Sequence, residues 1–176
     1  MKFTFYKEPW KYITVDNFLD ERDLNDLMTA NWNLSEMNDQ KGLTSPTYIL
    51  RNTVTKTIRK KYESKIKKIY QLLSLGEIEE YMPSCFLQKR PNGWTPIVHT
   101  DGQTKLLSCV LYLTEEDPKN SGTVLYNEDL SYGGYVEPVV NKLFCFCAHI
   151  DNVSKYHSAG FINGKDRISL NYILSS

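Results

Sequence analysis

Hydrophobic positions recur at helical spacing in the first half of the chain and at strand spacing in the second, with the change near Pro83. Residues 13–19, Ile-Thr-Val-Asp-Asn-Phe-Leu, read as a short strand entering a turn. Asp20 then offers an N-cap to a helix over 21–31, with Leu24, Leu27 and Met28 on one face. A polar stretch over 34–50 interrupts the pattern. From Thr53 to Leu75, the residues Val54, Ile58, Tyr62, Ile66, Ile69 and Leu73 return every three or four positions. That period predicts an amphipathic helix of about six turns, with Gly76 as its stop.

Beyond Pro83, short apolar, β-branched or aromatic runs alternate with turn residues. The predicted strands cover 84–90, 95–101, 105–114, 123–127, 135–138, 142–147, 152–157 and 167–174, punctuated by Pro91-Asn92-Gly93, Pro118 to Gly122, Gly133-Gly134 and Asn163-Gly164. Eight short strands at this spacing point to a double-sheet jelly roll or a small barrel. The expected architecture is a single α+β domain over 1–176. Residues 1–82 form its helical N-terminal part, which buttresses a jelly-roll core over 83–176.

Composition narrows the classes. With 21 Lys+Arg against 21 Asp+Glu the net charge is zero, and 41% of residues are hydrophobic, so a folded core is expected rather than disorder. Neutrality argues against a protein that coats nucleic acid through a basic excess. No secretory leader is visible and no apolar run is long enough to span a bilayer. Cys85, Cys109, Cys145 and Cys147 sit inside apolar runs, which reads as reduced, buried thiols in a cytoplasmic protein.

Only 3 histidines are present, so their positions matter. His99 and Asp101 form an H-x-D pair, and in an extended chain such residues project from one face. His157 ends another predicted strand. Two imidazoles and a carboxylate converging on one point match the facial set of non-haem Fe(II) oxygenases. Arg167 follows ten residues after His157, in Arg167-Ile-Ser169, and its guanidinium could hold a dicarboxylate through paired hydrogen bonds.

The ordered set of H-x-D, about 55 residues of strands, His, ten residues and R-x-S resembles the 2-oxoglutarate- and Fe(II)-dependent oxygenases. The resemblance is nearest their short prolyl-hydroxylase-like branch and covers most of the chain. Residues 13–19 resemble the family's opening strand and turn, 107–113 the strand after the metal pair, and 121–125 the glycine-led strand that follows. Residues 136–138 and 141–144 resemble the run before the distal histidine, with Asn141 in place of the usual glycine. The resemblance implies iron held by His99, Asp101 and His157, the same residues being catalytic. It implies 2-oxoglutarate bound through Arg167, with Tyr112 and Ser169 assisting, and O2 as oxidant with ascorbate in support. The implied reaction is hydroxylation of a protein or peptide side chain such as proline. A free amino acid or another small molecule is the alternative, and a non-enzymatic jelly-roll binding protein with a vestigial metal site is the competing class. Oligomeric state is not legible. One departure concerns the tyrosine that many such proteins carry before H-x-D, where this chain has Gln88, Lys89 and Arg90. Asp101, which related halogenases lack, favours hydroxylation.

Plainer readings compete elsewhere. Cys145, Cys147 and His149 alternate as a zinc cluster would, but Cys-x-Cys on a core strand without a second cysteine pair reads as packing. His149 is also the alternative third ligand. The basic residues on 53–75 read as a solvated helix face rather than a nucleic-acid patch, balanced by Glu115, Glu116, Asp117, Glu128 and Asp129. Arg167 is the last arginine of the chain, whereas nucleic-acid demethylases of the superfamily carry a further one on the final strand. Trp94, Tyr132 and Tyr135 are candidates for a substrate mouth, and 34–51 for a lid.

Overall fold

The computed structural model describes residues 2–30, 37–39, 47–114, 121–149, 153–160 and 165–176. Most of the candidate lid, and Glu115, Glu116 and Asp117, lie outside the described residues. Among the described residues, eleven strands and two helices follow in the order β1 (Lys2–Tyr6), β2 (Tyr12–Asp16), α1 (Glu21–Met28), β3 (Met37–Asp39), β4 (Tyr48–Leu50), α2 (Thr53–Ser74), β5 (Met82–Arg90), β6 (Lys105–Tyr112), β7 (Thr123–Tyr126), β8 (Tyr132–Val136), β9 (Leu143–Phe146), β10 (His157–Ala159) and β11 (Arg167–Ser175). Eight strands form one antiparallel sheet in the order β1-β2-β9-β6-β11-β5-β4-β3. A smaller sheet runs β10-β7-β8. This is the α+β jelly-roll arrangement that the strand spacing predicts.

Alternation along each strand divides the large sheet into two faces. Leu107, Cys109 and Leu111 of β6, Cys85 and Leu87 of β5, Leu143 and Cys145 of β9, and Leu170, Tyr172 and Leu174 of β11 pack with the apolar stripe of α2. That stripe is Ile58, Tyr62, Ile66, Ile69 and Leu73, all buried. The residues between them (Ser84, Phe86, Gln88 and Arg90 on β5, Ser108 and Val110 on β6, Arg167, Asn171 and Ile173 on β11) face the small sheet and line a cavity. The main core and the cavity therefore occupy opposite faces of the same strands.

The helix ends follow capping chemistry. Asp20 accepts from the Asp23 N–H at 2.9 Å. Asn52 and Thr55 form a reciprocal capping box that starts α2. The Tyr62 hydroxyl donates to Asp23 Oδ2 at 2.7 Å and accepts from the Asp20 N–H at 3.0 Å, tying the helices together. Lys61 bridges both aspartates at 2.6 Å.

Several expectations are corrected. Leu75, not Gly76, takes the left-handed position after α2, with φ 57°. Residues 95–101 form no strand, because Pro96 has no N–H to give a ladder; only His99 pairs, in an isolated bridge to His157. The pairing expected over 152–157 begins at His157 instead. The Gly133-Gly134 pair lies inside β8 rather than in a turn, and a Cβ on Gly133 would meet the Pro9 ring at 2.7 Å. The first 82 residues also contribute β1 to β4 to the large sheet, beyond the helical part read from the sequence. All four cysteines are free and buried. Among the described residues, no helix is long and apolar enough to cross a membrane.

Candidate active site

The bridge between His99 and His157 sets the geometry. Their backbones exchange two hydrogen bonds, His99 N to His157 O at 3.0 Å and His157 N to His99 O at 2.9 Å. Residues paired this way project side by side, and the rings lie 4.5 Å apart. Each Nδ1 faces a carbonyl two residues upstream, Ile97 O for His99 and Lys155 O for His157, both at 2.9 Å. A carbonyl only accepts, so each Nδ1 carries the proton and each Nε2 keeps a free lone pair. Asp101 completes the group. One ligand atom from each of the three residues lies within 4.8 Å of the others, and among the described residues no other such cluster occurs.

Electrostatics favour the forms a metal needs. Burial pushes the His157 imidazole down from 6.5 to about 4, against the attraction of Asp101, so it is neutral at physiological pH. Burial opposes charge on Asp101, but Lys105 and His157, with hydrogen bonds from Lys105 and Ser108, outweigh it and hold the carboxyl below its ordinary range. Lys105 Nζ donates to Asp101 Oδ1 at 2.6 Å, and the Ser108 hydroxyl donates to Oδ2. A neutral His157 imidazole and an ionised Asp101 carboxylate fit a divalent ion.

Arg167 opens β11 directly opposite Arg90 and is 2% exposed. Its guanidinium donates to Gly122 O at 3.1 Å and reaches Thr123 Oγ1 at 3.5 Å, lies 5.3 Å from the Tyr112 ring centroid, and leaves Nε without a partner. It forms no ion pair among the described residues. A buried cation without a counter-ion is costly, and the group that would relieve it is an anionic ligand in the cavity.

The other expected residues fall into place unevenly. Ser169 lies between Gln88 and Tyr112 in register, and its hydroxyl accepts from Asn171 at 3.3 Å. The Tyr112 hydroxyl shares a 2.6 Å hydrogen bond with Thr123. Tyr112 thus stands behind Arg167, and neither it nor Ser169 is in the cavity wall. Trp94, Gln88 and Arg90 do line it. Tyr132 is exposed, Tyr135 accepts from the Gly122 N–H, and neither is in the cavity wall. His149 bonds Gly102 O at 3.0 Å and stands outside the ligand cluster, as do Cys145 and Cys147. Lys105, Ser108 and Thr123 carry no sequence motif; only strand register reveals them.

The cavity between the sheets has a volume of about 630 Å³ and contains His99, Asp101, His157 and Arg167 in its walls. A more open depression of about 820 Å³ along α1, by Asp20, Leu24 and Met28, holds no metal-ligating cluster.

The sequence matches no family model and no curated protein. Solved structures do match in fold. A prolyl-4-hydroxylase of Pseudomonas putida is 19% identical, with 93% of this chain and 91% of that chain covered at a TM-score of 0.68. A viral collagen prolyl hydroxylase of Paramecium bursaria Chlorella virus-1, in complex with 2-oxoglutarate, is 15% identical over 94% and 95% at 0.65. HygX of Streptomyces hygroscopicus, with nickel, 2-oxoglutarate and hygromycin B bound, is 7% identical over 93% and 82%, also at 0.65. The chain thus has the fold of the 2-oxoglutarate- and Fe(II)-dependent oxygenases, prolyl hydroxylases among them.

Proposed function

We propose that the protein is an Fe(II)- and 2-oxoglutarate-dependent dioxygenase that hydroxylates an organic substrate. The observation that carries the proposal is the pairing of two features in one cavity: three metal-competent ligand atoms within 4.8 Å, and a buried guanidinium lacking a counter-ion. His99 and His157 would hold iron through Nε2, and Asp101 through a carboxylate oxygen. Arg167 would take the distal carboxylate of 2-oxoglutarate. Bound there, iron and 2-oxoglutarate supply the oxidising power for O2-dependent hydroxylation, with succinate and carbon dioxide as co-products.

The chain's own residues do the positioning. Ile97 O and Lys155 O fix the two tautomers. Lys105 and Ser108 orient Asp101 and keep it ionised. Thr123 and Tyr112 brace Arg167, while Phe144 and Phe146 exclude water from the cavity wall. The substrate would be a peptidyl side chain such as proline or a small molecule; the similar structures include prolyl hydroxylases and one with hygromycin B bound.

The test is succinate formation by purified protein supplied with Fe(II), 2-oxoglutarate and ascorbate. His99→Ala and Asp101→Ala should each abolish the iron-dependent signal, and His149→Ala should retain it. Full turnover in either ligand variant contradicts the assignment.

A further inference from the structure

The proposed chemistry leaves four buried thiols unused, and two of them meet. Cys109 of β6 and Cys145 of β9 are direct cross-strand partners, 1% and 0% exposed, and their thiols share a hydrogen bond. The ladder fixes which kind of pair they form. Tyr112 N donates to Lys142 O at 3.1 Å, and hydrogen-bonded pairs occupy every second position of an antiparallel ladder. Val110 with Phe144 and Ser108 with Phe146 are therefore the hydrogen-bonded pairs. Cys109 faces Cys145 at the closer, non-hydrogen-bonded position, where opposed Cα atoms lie about 4.5 Å apart. A disulfide accepts Cα separations from about 4.4 to about 6.8 Å, so closing one here needs little backbone movement.

The remaining thiols are placed differently. Cys85 is held apart from Cys109 by Tyr172 of β11, which pairs with both, and Cys147 follows β9 outside the ladder. Access also distinguishes Cys109. It stands between Ser108 and Val110, both in the cavity wall, and itself belongs to that wall, so the pair lies one strand from a space that admits small molecules.

We propose that Cys109 and Cys145 are a modification site, a dithiol that a hydroperoxide converts into a reversible cross-strand disulfide. One sulfur attacks a peroxide oxygen as thiolate, the O–O bond breaks, and a sulfenic acid and water form. The second thiol attacks that sulfur, the S–O bond breaks, and the disulfide and a second water form. Together the two sulfurs lose two electrons, and hydrogen peroxide gains them. Burial pushes the Cys109 thiol well above the usual thiol range, which keeps the first step slow. The second step is fast because the resolving thiol is already in contact. Over-oxidation needs a further peroxide at the same sulfur and loses that competition.

The test exposes the native full chain to millimolar hydrogen peroxide for several hours with a chelator present. The peroxide is then removed, and the chain is unfolded and alkylated. Most chains should carry two alkylated cysteines in place of four, and peptide mapping should find the single bond Cys109–Cys145. Dithiothreitol should restore all four to alkylation. Cys109→Ala and Cys145→Ala should each form no intramolecular disulfide, whereas Cys85→Ala should keep the wild-type bond. Four alkylated cysteines after peroxide, a bond to Cys85 or Cys147, or sulfinic acid at either sulfur overturns the inference. So does a bond that forms only when urea is added, because the folded register would then not be what pairs the two sulfurs.

Discussion

Two backbone carbonyls decide which nitrogen of each imidazole is free, and that choice makes His99 and His157 usable as ligands. Burial then keeps His157 neutral, with a consequence for stability. Its folded pKa, about 4, lies below the ordinary 6.5, so the unfolded chain binds the extra proton first. The metal-free protein should therefore lose stability as pH falls from about 6.5 to about 4, by on the order of 3 kcal/mol, and then level off with respect to this group. Urea denaturation of the wild type and His157→Gln at pH 7.5 and 4.5 checks it, since the variant should lose most of that dependence. The histidines and the arginine were legible in the sequence because their chemistry is rare and their order is distinctive. Lys105, Ser108 and Thr123 were not. Lysine, serine and threonine are common, and only the folded register brings Lys105 and Ser108 to Asp101 and Thr123 to Arg167.

At the scale of elements, Asn141 shows how one residue can join distant segments. It adopts φ 63°, a left-handed conformation that asparagine tolerates better than most residues and glycine better still. Its side chain also accepts from the Leu19 N–H and donates to Leu19 O, both at 2.9 Å. Asn141→Ala should cost about 2–4 kcal/mol, from the strained φ and two unmade buried bonds. Asn141→Gly should cost less because it relieves only the strain, and chemical denaturation of both variants ranks them. Periodicity located α2 almost to the residue and most strands to within a few positions, since a half-buried element writes its burial into every second or third side chain. β1 left no such record: all but one of its side chains are exposed, and its neighbour β2 supplies the burial. Residues 95–101 misled in the opposite sense, presenting an apolar run that Pro96 keeps out of the ladder.

For the whole molecule, the division of the large sheet into a helix-packed face and a cavity face separates stability from chemistry. Changes at His99, Arg51 or Arg167 act on the cavity, whereas changes on the α2 stripe act on the core. Net neutrality also gains a spatial meaning: it averages a cavity rich in cations and a basic outer helix against carboxylates placed elsewhere. The central claim is that metal and 2-oxoglutarate occupy this cavity together, the metal on His99, Asp101 and His157 and the cosubstrate on Arg167. Anaerobic calorimetry of 2-oxoglutarate with the Fe(II)-loaded protein tests it most directly. Binding should be one to one, should require the metal, and should weaken by on the order of a hundredfold in Arg167→Gln. No binding with metal present, or the same affinity without metal or in the arginine variant, would contradict the account.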